Sequence, residues 1–282
     1  MLLISVFIAI VNILTVVTIW RTRKLRTISN MFVTSLSLGD LLFGLLMPVG
    51  IFVSTGFPQS VLSTSIFLCH MPIMIFVCLN TQSFTTITLI GVERFIYIVY
   101  PYKYPNLVTK TKVLFGITFT WIAGVFMDVA VMSSIAWEKR CNSNSTVNPN
   151  MIMAGIGVYT FLAITVGVMY SYITYVAFKH MTSIHAQTRG GVVNSLRRSS
   201  FKAVKLFLAV YSVFILCWIP FFVLNVVGTS LAKSIATSLA FLSSGLNFCV
   251  YVWMNPAFRM GVRNVCFSMS PSSSVTDSFA MH

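Results

Sequence analysis

The chain has 282 residues, of which 57% are hydrophobic, 14% aromatic and only 9% charged, whereas a soluble domain carries about 25% charged residues. So few charges cannot cover a water-facing surface, which excludes a soluble fold and favours a chain whose outside faces lipid. The net charge of +14 comes from 19 Lys and Arg against five acids, and these charges lie mainly in the segments between apolar stretches.

Seven apolar stretches are near the length of about 20 residues that crosses a bilayer as a helix. Met1 is followed directly by apolar residues and not by a basic segment, so the first stretch is predicted to be a span and not a cleaved leader. None shows the alternation of a membrane β-barrel. The predicted fold is an all-α seven-transmembrane helix bundle over residues 1–254, with spans at residues 2–20, 31–53, 67–97, 113–136, 151–178, 203–227 and 235–254.

The basic residues predict the orientation of the bundle. Segments after the first, third, fifth and seventh spans contain 16 of the 19 Lys and Arg, and the other side has only Lys139, Arg140 and Lys233. Cytoplasmic segments are enriched in Lys and Arg. We therefore expect an extracellular N-terminus and a multi-pass protein of the plasma membrane, and we attribute the charge excess to topology and not to a nucleic-acid partner.

The segment between the fourth and fifth spans has two features of an extracellular loop. Asn144 begins the sequon Asn-Ser-Thr and is a candidate glycosylation site. Cys141 lies in the same segment and Cys69 at the outer start of the third span, so a disulfide between them would form in an oxidising compartment. Packing is the expected role of the cysteines within spans, which are Cys78, Cys217 and Cys249.

The C-terminal part divides into two segments. Residues 255–267 alternate basic and apolar residues at helical spacing, which predicts a short amphipathic helix on the inner leaflet, and Pro256 suits its first turn. Cys266 in this helix is a candidate palmitoylation site, with an unmodified thiol as the alternative. Residues 268–282 are rich in serine, lack apolar periodicity and are predicted to be a disordered cytoplasmic tail.

The inner end of the third span shows a family resemblance. Residues 93–104, ERFIYIVYPYKY, follow the run D/E-R-Y-x-x-I-x-x-P-x-x-Y, and Cys69 lies 24 residues before Glu93. Over residues 1 to about 267 the chain resembles a rhodopsin-like (class A) G protein-coupled receptor. The resemblance implies a receptor and not an enzyme, with coupling and activation assigned to Glu93, Arg94, Phe95, Ile98, Pro101, Tyr104, Tyr172 and Tyr251.

The resemblance also implies binding partners and a toggle in the sixth span. The partners are a heterotrimeric G protein, an extracellular small-molecule or peptide ligand, and membrane lipid. Phe214, Trp218 and Pro220 match the toggle of the sixth span, where Pro220 removes a backbone hydrogen bond and kinks the helix. In the fifth span, alignment of Phe161 and Tyr172 puts Ile164 at the family's proline.

Arg94 is often held in this family by an acid at the base of the sixth span. Here no acid occurs between Glu138 and Asp277, which predicts weak restraint of Arg94 and raised basal signalling. A constitutively active or ligandless orphan receptor is accordingly one alternative. A seven-helix transporter or photoreceptor is another, although Phe241 stands where opsins carry the retinal lysine.

Asp40 lies in the middle of the second span, where an ionised side chain is costly unless it is paired. Oxygen and amide groups on three other spans are candidate partners, and oxygen ligands suit a hard cation. The set resembles the family's sodium pocket, which implies a sodium ion as allosteric modulator and no covalent cofactor. A hydrogen-bonded Asp40 without an ion is the alternative. The predicted set, with Asp40 as the metal-binding acid, is Asp40, Asn12, Ser83, Ser243, Ser244 and Asn247.

Family positions also predict a ligand pocket in the outer half of the bundle. Phe76 stands where aminergic receptors carry their amine-binding aspartate, so the usual mode of monoamine binding is not expected. Asp128 lies seven residues after Trp121 without an evident basic partner, and is a candidate for a ligand cation or, alternatively, a neutral acid bonded to a neighbouring helix. The predicted lining is Phe76, Val77, Asn80, Asp128, Thr160, Trp218, Phe221, Phe222, Asn225, Thr237 and Phe241.

Overall fold

The computed structural model of the chain describes residues 1–135, 148–185 and 191–269. Within these ranges, seven helices are long and apolar enough to cross a membrane, which confirms the helical bundle. They are numbered first to seventh span in chain order. Their bounds are Leu2–Arg21, Ile28–Gly56, Ile66–Val99, Lys110–Ser133, Pro149–His185, Gly191–Val227 and Ser230–Met254.

Three spans begin three to five residues before the predicted position, at Ile28, Lys110 and Ser230. A threonine precedes each of these helices, and its side-chain oxygen accepts a hydrogen bond from a backbone N–H of the first turn, at 3.3 or 3.4 Å. Such a cap satisfies a donor that has no partner within the helix. Hydropathy misses these starts because the first turns contain polar residues.

Short helices join the spans in the part of the chain that the structure describes. A 3-10 turn at Arg23–Leu25 follows the first span, and single-turn helices lie at Gln59–Leu62 and Tyr104–Leu107. The amphipathic helix is present as Pro256–Met269. Asn255 caps it, since its Oδ1 accepts a hydrogen bond from the Phe258 N–H at 3.1 Å.

The third span is the centre of the bundle. It contacts the second, fourth, fifth and sixth spans, and its residues from Leu79 to Phe84 are buried. The fourth and fifth spans instead turn large apolar side chains outward, among them Phe115, Phe126 and Phe161. Lipid-facing helices are expected to expose such residues because the hydrocarbon core replaces water as their solvent. The candidate sites therefore lie along the third span and the faces turned toward it.

Gly261 brings the amphipathic helix against the first span. A Cβ at this position would lie 2.7 Å from Thr22 Oγ1 and 2.8 Å from Thr18 Cγ2. We expect Gly261→Leu to overpack this contact at a cost of about 1–3 kcal/mol and to undock the helix. Hydrogen exchange of residues 256–267 should then accelerate, whereas Met260→Leu, at an exposed neighbour, should leave it unchanged. Slow exchange in Gly261→Leu would contradict the close contact.

Candidate functional site

Asp40 is buried between the second, third and seventh spans. Its Oδ2 accepts a hydrogen bond from Asn247 Nδ2 at 3.2 Å, and its Oδ1 accepts one from Ser83 Oγ at 3.4 Å. The Ser244 hydroxyl is a third hydrogen-bonding neighbour of the carboxylate. Asn247 Oδ1 is buried and has no hydrogen-bond partner among the described residues. One carboxylate and several neutral oxygens, one of them unused, form a donor set that suits a hard monovalent cation.

Two residues predicted for this pocket direct their hydrogen bonds elsewhere. Asn12 Nδ2 donates to the carbonyl oxygens of Ile8 at 2.9 Å and Ser244 at 3.1 Å, so it ties the first span to the seventh. Ser243 Oγ donates to the carbonyl of Ala240 within its own helix at 2.6 Å. The hydrogen bonds of Asp40 thus come from Ser83, Ser244 and Asn247, while Asn12 and Ser243 support the backbone beside them.

Gln82, which no motif indicated, borders the pocket and is fully buried. Its Nε2 donates to the Ser35 carbonyl at 3.3 Å and to Thr86 Oγ1 at 3.1 Å, and its Oε1 accepts from Ser83 Oγ at 3.4 Å. Trp121 Nε1 donates to Ser35 Oγ at 3.1 Å and joins the fourth span to this network. The sequence signal that could have indicated Gln82 is the presence of a polar glutamine within an apolar stretch.

Glu93 and Arg94 form a buried ion pair at the inner end of the third span, with Arg94 Nε 2.9 Å from Glu93 Oε2. The other carboxylate oxygen accepts hydrogen bonds from Ser29 Oγ at 3.0 Å and from the Tyr104 hydroxyl at 2.5 Å. Removal of one partner from such a buried pair leaves an uncompensated charge. The arrangement therefore holds Arg94 beside Glu93 in this conformation.

Tyr104, which the family resemblance assigns to coupling and activation, is half-buried, and its hydroxyl is directed to the third span. It donates to Glu93, and burial together with the Glu93 carboxylate raises the pKa of Tyr104 to about 12, so the hydroxyl remains a donor at neutral pH. Ile98 packs partly against the core. Pro101 is exposed, and the aromatic residue that projects is Tyr102, at 96% exposure.

In the fifth span, Tyr170 and not Tyr172 faces the bundle. Tyr170 is 2% exposed and lies within electrostatic range of Arg94 and Tyr251, whereas Tyr172 is 48% exposed and packs on Phe95 at a ring distance of 5.8 Å. Residues two apart on a helix point about 200° apart. Phe161 and Tyr172, the two residues used to align this span with the family, therefore both lie on its exposed face. The Tyr251 hydroxyl is buried without a hydrogen-bond partner in the described structure.

The toggle residues belong to a cluster of aromatic rings. Trp218 lies 5.8 Å from Phe214 and 4.8 Å edge-on from Phe84, measured between ring centroids. Phe76 lies 6.1 Å from Trp218, 5.6 Å from Phe221 and 5.9 Å from Phe241. Such offset and edge contacts are favourable beyond the area they bury. The space between the third, sixth and seventh spans at this level is consequently filled by rings.

A cavity bordered by Trp218 lies between the fifth and sixth spans. Its volume is about 520 Å³, and Thr160, Trp218 and Phe222 contribute to its wall. Thr160 is exposed, and the inward residue is its neighbour Tyr159, whose ring stacks on Phe84 at 4.6 Å and whose hydroxyl lies 2.7 Å from Thr81 Oγ1. The predicted residues Thr160, Trp218 and Phe222 thus line this cavity, while Tyr159 packs against the third span beside it.

Other predicted pocket residues are bonded within their own helices. Asn80 Nδ2 donates to the Phe76 carbonyl at 2.7 Å, and Thr237 Oγ1 donates to the Lys233 carbonyl at 2.8 Å. The backbone carbonyl of Val77 accepts from Thr81 at 2.7 Å. The side chain of Asn225 lies outside the described residues. None of these bonds reaches the cavity between the fifth and sixth spans.

Asp128 lies on the fourth span close to Cys78 of the third. The two helices approach closely one turn below, where a Cβ on Gly124 would lie 2.5 Å from the Cys78 carbonyl oxygen. Asp128 Oδ1 is buried and has no hydrogen-bond partner in the described part of the chain. An unpartnered acid within a membrane span is costly and indicates a missing partner.

The structure describes only some of the residues at the remaining predicted sites. Cys69 is disulfide-bonded, but Cys141 and Asn144 lie outside the described residues, so their pairing and glycosylation stay predictions. Cys266 is an exposed thiol on the amphipathic helix. This position is compatible with acylation at the inner leaflet.

Comparison with known proteins gives a family and several relatives. Residues 11–258 match the model of the 7 transmembrane receptor (rhodopsin family). The chain is 24% identical over 267 residues to the histamine H2 receptor of Cavia porcellus, covering 88% of this chain and 73% of the relative. It is 26% identical over 286 residues to 5-hydroxytryptamine receptor 4 of Rattus norvegicus, covering 88% and 70%. It is 24% identical over 310 residues to dopamine receptor 1 of Drosophila melanogaster, covering 92% and 60%.

Proposed function

Since the chain belongs to the rhodopsin family of seven-transmembrane receptors and is a G protein-coupled receptor and not an enzyme, we propose that its ligand is a small extracellular amine. The relatives are receptors for histamine, 5-hydroxytryptamine and dopamine by name. Phe76 replaces the aspartate that holds the amine in aminergic receptors. The observation that supports an amine here is the buried, unpartnered Oδ1 of Asp128.

In this proposal, Asp128 forms a charge-assisted hydrogen bond with the ligand ammonium group. The ligand would contact the third and fourth spans beside Asp128, and the third span, whose Phe76 and Phe84 rings pack on Trp218, would transmit its binding to the sixth span. Ligand binding shifts the population toward a state in which this span moves outward about the Pro220 kink. Arg94 then leaves Glu93 and meets a heterotrimeric G protein on the cytoplasmic side.

The proposed orientation in the membrane rests on the distribution of basic residues and on cysteine chemistry. The protein is a multi-pass membrane protein, which we place in the plasma membrane with its N-terminus outside, on the distribution of Lys and Arg. The Cys69–Cys141 disulfide and a glycan on Asn144 belong to the extracellular side in this arrangement. A palmitoyl group on Cys266 would anchor the amphipathic helix to the inner leaflet.

Asp128→Asn tests the amine site. The substitution keeps the shape of the side chain but removes the charge, so we expect at least a 30-fold loss of potency for an active amine, corresponding to about 2 kcal/mol. A panel of histamine, 5-hydroxytryptamine, dopamine and their quaternary analogues would be measured by second-messenger response. Asp128→Glu keeps the charge and Cys78→Ala removes only the neighbouring thiol, so both should retain responses. Unchanged potency of every active amine in Asp128→Asn would exclude the proposed contact.

A second candidate is a receptor that signals without a ligand. The observation that favours it is the packing of Phe76 against Trp218, Phe221 and Phe241, which fills the usual amine position with protein side chains. High agonist-free signalling that no amine raises further, and that Asp128→Asn does not alter, would favour this candidate over the amine receptor.

We also propose that the Asp40 pocket binds a sodium ion as an allosteric modulator. Asp40, Ser83, Ser244 and Asn247 would hold the ion through their oxygens. The support is the unused Oδ1 of Asn247 beside a carboxylate that faces only neutral hydrogen-bond donors. The ion neutralises the buried charge of Asp40 and links the second, third and seventh spans.

A further inference from the structure

We propose that Phe207 of the sixth span is the positioning residue that holds Arg94 beside Glu93, in the role that an acid at the base of this span has in related receptors. The inference rests on the proposed movement of the sixth span during G protein activation. No sequence motif indicated Phe207, and its contact with Arg94 joins a cation to an aromatic ring, where related receptors have an ion pair between spans.

The geometry is that of a cation–π contact. Arg94 Cζ lies 4.4 Å from the centroid of the Phe207 ring, well within the range of about 6 Å over which a guanidinium is attracted by a ring face. Arg94 and Phe207 are 7% and 4% exposed, respectively. Removal of water strengthens such contacts relative to exposed ones. Arg94 is therefore placed between the Glu93 carboxylate on its own helix and the Phe207 ring on the sixth span.

The position of Phe207 explains why this contact would restrain activation. Phe207 lies 13 residues before Pro220, which is about 20 Å along the helix from the kink. An outward swing about Pro220 moves this end of the span by the largest distance and separates the ring from Arg94. A chain without acids between Glu138 and Asp277 has no carboxylate on the sixth span to serve this purpose.

A second ring near Arg94 provides a matched comparison. Tyr97 lies 5.7 Å from Arg94 Cζ, but it is on the third span, three residues after Arg94. It moves with Arg94 when the sixth span swings out, so its contact cannot restrain that movement. Only the Phe207 ring joins Arg94 to the sixth span through such a contact in the described structure.

The experiment measures agonist-free nucleotide exchange on purified G protein by the full chain in lipid nanodiscs, at equal amounts of folded receptor. Phe207→Leu keeps an apolar side chain but removes the ring, and we expect basal exchange to rise about threefold to tenfold. Phe207→Trp keeps a ring face and should stay near the wild-type rate. Tyr97→Leu should also stay near the wild-type rate.

A series of fluorinated phenylalanines at position 207 distinguishes an electrostatic effect of the ring on Arg94 from an effect of its packing. Phenylalanines with increasing ring fluorination at position 207 retain shape while the negative potential of the ring face declines. Basal exchange should increase with each added fluorine, a trend that a purely steric role would not produce. A flat series, or Phe207→Leu at the wild-type rate, would overturn the inference. Failure of wild-type receptor to stimulate exchange on any G protein would instead overturn the proposed function.

Discussion

Arg94→Ala is expected to abolish G protein activation while leaving the bundle folded. Arg94 is buried at the inner end of the third span, held by Glu93 at 2.9 Å and by the Phe207 ring at 4.4 Å. In the proposed mechanism, the guanidinium is the cationic group that contacts the G protein after the sixth span has moved outward. We expect ligand-stimulated exchange to fall more than tenfold, corresponding to a barrier higher by at least about 1.4 kcal/mol.

Two controls make the result specific. Arg94→Lys keeps the charge but lacks the planar guanidinium, so it should recover only part of the activity. Arg259→Ala removes an exposed arginine from the amphipathic helix and should be neutral. Ligand binding, measured separately, should persist in Arg94→Ala. Wild-type exchange rates in this variant would show that Arg94 does not have the proposed role.

Asp40→Asn is expected to remove the sodium dependence of thermal stability. An ion that binds only the folded state stabilises it by about 1.4 kcal/mol at ten times its Kd, which corresponds to a rise in melting temperature of about 3–5 °C. The measurement compares sodium with choline chloride at constant ionic strength. The asparagine variant cannot offer a carboxylate to the cation, so its melting temperature should be the same in both salts.

Two serines provide the matched control for this pocket. Ser83 donates to Asp40, whereas Ser243 donates to the carbonyl of Ala240 within its own helix. Ser83→Ala should therefore weaken the sodium effect, and Ser243→Ala should retain it. Equal sodium dependence in wild type and Asp40→Asn would favour the alternative of a hydrogen-bonded Asp40 without an ion.

The membrane spans could be predicted from sequence because hydropathy depends only on local composition. The early starts at Ile28, Lys110 and Ser230 required the threonine caps, which are also local but polar. The amphipathic helix followed from its charge pattern and from Pro256. These features need no information about which helices touch, so they are within reach of sequence reasoning.

The faces of the fifth span could not be predicted in the same way. Which face of a lipid-exposed helix meets the bundle depends on its packing against neighbouring helices, and the apolar residues of this span surround it on all sides. The alignment placed Tyr172 inward, whereas the structure exposes Tyr172 and buries Tyr170. A displacement of one or two residues rotates a helix by about 100° or 200°, so a small error changes which side chains meet the core.

Contacts between residues in different segments likewise could not be predicted from the sequence. The Tyr104 hydroxyl turns to Glu93, eleven residues earlier, and Phe207 covers Arg94 from another span. The polar network of Gln82 depends on Ser35, on the second span. Each contact arises from packing of whole helices and leaves only a weak signal at a single position, such as a glutamine in an apolar stretch.

The most direct test of the proposed receptor function is nucleotide exchange on purified heterotrimeric G proteins by the wild-type chain in nanodiscs, with and without the amine panel. We expect the receptor to accelerate exchange on at least one G protein, an active amine to raise this rate, and Arg94→Ala to remove the acceleration. Exchange that stays at the receptor-free rate for every G protein and every amine would contradict it.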